Sequence, residues 1–196
     1  MERERITLND PGEWTCSISW TPDGRFLAVG AADYTHGELR ILLVASDGTS
    51  PPTELINTAG FNPMPQFSPD GRWIAYVSSE ESNSPEVYIR PFPDVNRGKW
   101  LVSADGGVQP RWRADSREMF YLDRTNHVMA VPIQAAGRVL QAGKPVPLFQ
   151  TNVPWSPAGR YEYTVSADGQ RILACVLAEE DDRRIEMLIG WDSLLK

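Results

Sequence analysis

Phe67 to Ser79 reads FSPDGRWIAYVSS, and a near copy, WTPDGRFLAVGAA, begins at Trp20. In both, a Pro-Asp-Gly corner separates two apolar runs. Asp-Gly supplies a residue that tolerates positive φ beside a carboxylate that binds nearby backbone N–H groups, and so reverses the chain between two strands. The prolines before it, Pro22 and Pro69, preset φ for the first turn position. After the second corner, Trp73-Ile74-Ala75-Tyr76-Val77 is apolar on both strand faces instead of alternating. Such a strand must be covered on both sides, because a sheet with one wet face would leave Trp73 or Tyr76 in water.

Two blurred copies extend the pattern. QPRWRADSREMFYL starts at Gln109 and YEYTVSADGQRILACV at Tyr161, so the corner aspartates are Asp23, Asp70, Asp115 and Asp168, spaced by 47, 45 and 53 residues. A period of about 40 to 50 residues belongs to a unit of four short strands, the blade of a β-propeller. Residues 38–44, 86–90, 127–133 and 185–191 read as third strands, and residues 53–57, 99–103 and 145–149 as fourth strands. Helical periodicity is absent over any long stretch. The expected fold is all-β: a β-propeller of about four four-stranded antiparallel blades, over residues 14–57, 64–103, 109–150 and 161–191 of a single domain spanning 1–196. The last unit lacks a fourth strand, and residues 5–9 precede the first unit without a partner, so pairing the two is expected to close an open edge. Three arrangements stay open: a closed four-bladed ring, an arc completed by another chain, and a fragment of a larger propeller. An arc leaves apolar faces exposed at both ends and needs a partner, self-association included.

The charge balance, 26 acidic against 19 basic residues for a net −7, opposes attraction to phosphate backbones or anionic lipid. Nucleic acid is not an expected partner, and no apolar segment reaches the ~20 residues of a membrane span. Nothing at the N-terminus, MERERITLND, has the form of a signal peptide. The chain taken alone is expected to be cytoplasmic, and periplasmic if it belongs to a longer membrane-anchored protein. Two cysteines, Cys16 and Cys175, make no disulfide framework and no zinc spacing.

These repeats resemble the TolB-type, WD-like propeller family. The carriers are TPDGRFLAV, SPDGRWIAYVS, the EVYIRPFP after the second copy, and GGVQPRWRADSREMFYL. The order RPFP, QPRW, Met-Ala-Val-Pro, PVPLF and a closing Trp-x-x-Leu-Leu-Lys further resembles the C-terminal propeller region of bacterial multidomain proteins. There, similar propellers follow serine/threonine kinase or DNA-binding regulatory domains. The resemblance implies six or so blades and a scaffold or sensor role. Asp115-Ser116 replaces Asp-Gly in the third copy and Ala167 replaces proline in the fourth, so those corners are expected to be built differently.

Catalysis finds little support. Serine hydrolysis needs a nucleophile elbow, G-x-S-x-G, which is missing, and the two histidines, His36 and His127, have no evident acid or nucleophile beside them. The corner motif differs from the Asp-box of sialidases in the placement of its glycine, and the corner aspartates have a local backbone role. Neither a calcium loop nor a phosphate-cradling glycine loop occurs, so no metal and no cofactor are expected. The function expected is non-catalytic binding of a protein, a peptide or a small ligand; the alternatives are the propeller portion of a hydrolase and a purely structural unit. Loops into the first strands would bring Asn62, Gln109, Arg111 and Tyr161 near the axis, with Tyr34, His36, Glu80 and Glu81 farther out. Arg111 carries the guanidinium that could hold a carboxylate bidentately, its bland alternative being an inter-blade salt bridge. Trp20, Trp73 and Trp112 are expected to pack between blades. Trp155, in the Pro/Gly-containing insertion 151–160, is either a partner contact or a cap on the core.

Overall fold

The computed structural model describes residues 13–33, 38–58, 63–82, 84–137, 139–153, 155, 161–175 and 185–189. Apart from one short 3-10 turn at Val95–Arg97, the described residues are strands, turns and loops. They form four antiparallel sheets in chain order. The first contains β1 (Glu13–Trp20), β2 (Phe26–Asp33), β3 (Glu38–Ala45) and β4 (Thr53–Thr58). The second contains β5 (Gln66–Phe67), β6 (Trp73–Ser78), β7 (Glu86–Pro91) and β8 (Trp100–Leu101). In the third are β9 (Val108–Trp112), β10 (Glu118–Leu122), β11 (His127–Ala136), β12 (Val139–Ala142) and β13 (Val146–Gln150). The fourth contains β14 (Tyr163–Val165), β15 (Arg171–Cys175) and β16 (Ile185–Ile189). The pairing of residues 5–9 with the last unit lies outside the described residues.

All four corners share one construction, including the two expected to differ. The residue after each corner aspartate has positive φ: Gly24 (71°), Gly71 (70°), Ser116 (60°) and Gly169 (76°). Its N–H donates back to the carbonyl three residues earlier, at Thr21, Ser68, Arg113 and Ser166 respectively. Each aspartate Oδ1 accepts the N–H two residues on, from Arg25, Arg72, Arg117 and Gln170. Thr21, Ser68 and Ser166 donate their hydroxyls to the same carboxylates. In the third corner the Arg113 guanidinium replaces the hydroxyl, donating from Nε to Asp115 Oδ1 at 2.9 Å and from Nη2 to Oδ2 at 2.7 Å. This holds the Asp115 carboxyl at about 2, below its usual 3.8. Hydrogen bonds from Thr21 and Arg25 hold Asp23 at about 2 as well.

The sheets stack face to face, with contacts running from β1 to β5, from β6 to β9 and from β9 to β14. Every residue of β6 is buried. Alternate side chains serve opposite cores: Ile74 and Tyr76 join Ala28, Ile41 and Ile56 of the first sheet, and Trp73, Ala75 and Val77 join Met119 and Tyr121 of the third. A strand dry on both faces thus follows from a sheet held between two others, as the unbroken apolar run requires. Trp73 and Trp112 are buried at 2% and 8% exposure, but Trp20 is 55% exposed, against expectation, because it stands at the very end of β1, the edge strand of its sheet. The third sheet also carries an unanticipated strand: β11 runs on to Ala136, reverses at Gly137 (φ 61°) and pairs with β12. No described helix is long and apolar enough to cross a membrane.

Candidate functional site

The inner strands β5, β9 and β14, with the residues leading into them, bring three of the sequence candidates together. Met64, Gln109 and Glu162 each lie six positions before a corner aspartate, and they contact one another in series. The Gln109 N–H points at Met64 Sδ at 3.4 Å, and the Glu162 N–H donates to Gln109 Oε1 at 2.8 Å. Gln109 takes positive φ (57°), rare for a residue with a Cβ, and is fully buried. Its carbonyl accepts the Tyr163 hydroxyl at 2.8 Å. The Tyr161 hydroxyl donates to Met64 O at 2.8 Å, so residues of the fourth repeat reach across the third to the second.

Arg111 sits within this cluster. Its guanidinium lies 3.8 Å from the centroid of the Tyr161 ring, and Nε donates to the Tyr163 carbonyl at 3.1 Å. With the Gln66 amide oriented to satisfy its neighbours, Gln66 oxygen accepts from Arg111 Nη1 at 3.2 Å. Among the described residues no carboxylate forms a salt bridge with Arg111; the inter-sheet partner is an aromatic face and two neutral oxygens instead of an acid. A half-buried cation so held is oriented but not neutralised. Burial pushes the Tyr161 and Tyr163 phenols well above their ordinary value, with the Arg111 charge acting in the opposite direction. Both hydroxyls therefore stay protonated as donors. Two further polar atoms, Gln109 Nε2 and Glu162 Oε2, are buried with no hydrogen-bond partner among the described residues.

The other candidates lie elsewhere. Asn62, Tyr34 and His36 fall outside the described residues. Trp155 packs against the main core, its backbone N–H donating to Asn126 Oδ1 at 3.0 Å. Glu80 and Glu81 both pair with Lys99, whose ammonium lies 4.3 Å from the Tyr88 ring centroid. His127 shares the Asp123 turn, its Nδ1 2.8 Å from Thr125 Oγ1. Gln66, Glu162 and Tyr163 were not foreseen; the repeat offset was the available signal, since Gln66 stands at the same distance from its corner as Arg111. Also unforeseen is a cleft of about 350 Å³ between the first two corners, with Phe26, Leu43 and Phe92 on its walls and Asp23 and Asp70 among its lining. No group of His, Cys, Asp and Glu among the described residues could hold a metal ion.

A model of the WD domain, G-beta repeat, matches residues 4–35. The Tol-Pal system protein TolB of Alcanivorax borkumensis is 40% identical over 57 residues, 28% of this chain and 13% of that protein. The crystal structure of TolB from Acinetobacter baumannii superposes with a TM-score of 0.62 at 20% identity, covering 91% of this chain and 41% of the other. The fold is a TolB-like, WD-type β-propeller. A puromycin-hydrolyzing peptidase of Mycobacterium tuberculosis also superposes on this propeller, with a TM-score of 0.57 at 21% identity over 90% of this chain and 28% of its own. The TolB-like chain thus spans less than half the length of each of these relatives.

Proposed function

We propose that this chain is a recognition module, a single propeller unit over residues 1–196 that captures a carboxylate-bearing protein or peptide at the Arg111 cluster. The observation that carries this is the Arg111 guanidinium, fixed by the Tyr161 ring and the Tyr163 carbonyl and in no salt bridge with a carboxylate among the described residues. An oriented guanidinium gives two parallel donors to an incoming carboxylate. A net charge of −7 makes nucleic acid a poor competitor for that site. The test is a panel of short peptides with free C-terminal carboxylates, screened against the wild type and Arg111→Gln, with the C-terminally amidated peptides in parallel. Binding that needs both the carboxylate and Arg111 is expected. Equal binding of amidated peptides, or full binding by Arg111→Gln, overturns the proposal.

A second reading, the propeller portion of a hydrolase, draws on the structural likeness to the mycobacterial peptidase. Turnover in a panel of peptidase and glycosidase substrates would favour it over the binding module.

A further inference from the structure

Equivalent positions in the corners set the second apart from its neighbours. In the first corner Arg25 Nε lies 2.6 Å from Asp23 Oδ2, and in the third Arg113 Nη2 lies 2.7 Å from Asp115 Oδ2. In the second, Asp70 Oδ1 accepts the Ser68 hydroxyl and the Arg72 N–H, but Arg72 Nη1 stays 3.9 Å from Oδ2, beyond hydrogen-bond distance. Arg72 is drawn the other way. Its Nη2 donates to the Gly137 carbonyl at the turn of the β11–β12 ribbon, and its Cζ lies 5.7 Å from the Trp73 ring centroid. Among the described residues, no guanidinium hydrogen-bonds Asp70 Oδ2.

Asp70 lines the cleft of about 350 Å³ between the first two corners. Phe26, Leu43, Phe92 and Pro93 give it apolar walls, and Pro22 closes against Gly71, where a Cβ would stand 3.4 Å from Pro22 Cδ. Its charged lining groups are Asp23, Arg25 and Asp70; the first two neutralise each other, which leaves one negative charge. The third corner shows the same kind of space filled. Arg113, two residues before Asp115, grips that carboxylate and reaches the fourth corner, its Cδ 2.7 Å from where a Cβ on Gly169 would stand. The equivalent residue in the first corner is Thr21, whose short side chain donates to Asp23 at 2.7 Å and leaves the way to the second corner open. We propose that this cleft receives an arginine side chain of a partner peptide, with the guanidinium on Asp70 Oδ2 and the methylene stem along Leu43 and Phe92. Charge complementarity selects a cation, and the apolar, aromatic walls favour a planar, weakly hydrated guanidinium over an ammonium. The cleft opens between two consecutive sheets, not at an end of the array, and shares no residue with the Arg111 cluster.

N-acetyl-arginine methylamide, which has no free carboxylate to engage Arg111, is the probe. It is titrated to about 50 mM while amide chemical shifts are followed by NMR, since a ligand this small binds in the millimolar range. Saturable shifts are expected at the amides of Asp70, Gly71 and Phe92, and the citrulline analogue, neutral and of the same shape, should bind more weakly. Asp70→Asn, which keeps the corner's acceptor oxygen, should weaken arginine binding about fivefold, the loss of one partly exposed ion pair. Thr21→Arg places a guanidinium where the third corner has Arg113, and should abolish binding with Asp70 intact; the remaining amide shifts confirm that both variants fold. A blocked heptapeptide with arginine at its centre should bind more tightly than the single residue. The proposal is overturned by the absence of saturable shifts at the cleft, by equal binding of the citrulline analogue, or by wild-type affinity in either folded variant. A heptapeptide that binds no more tightly than the blocked amino acid also overturns it, because the ligand would then be a free small cation.

Discussion

Replacing Gly24 and Gly169 separately by alanine tests the shared corner and how tightly consecutive repeats engage. The two glycines have nearly equal φ, 71° and 76°, so the left-handed conformation penalises a Cβ equally at both, by about 1–2 kcal/mol. Their surroundings differ. A Cβ at Gly24 would meet nothing within 4 Å, whereas at Gly169 it would lie 2.7 Å from Arg113 Cδ in the preceding repeat. Arg113 would have to shift, and it holds both Asp115 and Glu118, at 2.7 and 3.0 Å. Weakening that pair of partly exposed contacts adds about 1 kcal/mol. Gly24→Ala should therefore lose about 1–2 kcal/mol and Gly169→Ala about 2–3, in urea denaturation followed by tryptophan fluorescence. In a chain of this size each kcal/mol lowers the melting temperature by about 2–4 °C. A Gly24→Ala protein as stable as the wild type would refute the left-handed corner. Equal losses at the two sites would refute the contact between the fourth corner and Arg113.

Tyr163→Phe removes the donor to the buried Gln109 carbonyl and should cost about 1–3 kcal/mol, read in the same denaturation assay. Trp73→Ala leaves a cavity between the second and third sheets and should cost about 3–5 kcal/mol. Because the folded value of Asp115 is depressed to about 2 from 3.8, its stabilising contribution is complete above pH 3.8 and fades as pH falls toward 2. Asp115→Asn should thus flatten the acid limb of the stability profile in that window, measured as melting temperature against pH, while behaving alike on both sides of neutrality.

What the sequence disclosed follows from which features are local. The Asp-Gly corners and the unbroken Trp73–Val77 run are short patterns whose physics needs no distant partner, and both appear in the structure as sheets stacked around doubly buried strands. Ser116 was harder, because serine shows no preference for positive φ; the fold imposes it, with Ser116 Oγ accepting the Asp70 N–H from the neighbouring corner at 3.1 Å. The β11–β12 ribbon alternates buried and exposed residues and projects beyond the sheet, so it left no apolar run to read. In the cluster, repeat position placed Gln109, Arg111 and Tyr161 on one end of adjacent sheets. The stacking of Arg111 on Tyr161, the inward turn of Gln109 and the role of Glu162 are contacts across about 50 residues of chain and depend on how the sheets pack.

The decisive measurement concerns the second strand of the second sheet. Ile74 and Ala75 are adjacent, point to opposite faces, and are both completely buried, in different cores. Ile74→Cys and Ala75→Cys, made separately and exposed to maleimide under native conditions with peptide-resolved mass spectrometry, should both resist labelling, while Cys175, exposed in the fourth sheet, reacts. If either introduced thiol were modified as fast as Cys175 in a folded protein, one side of that strand would be in water and the stacked arrangement would be wrong.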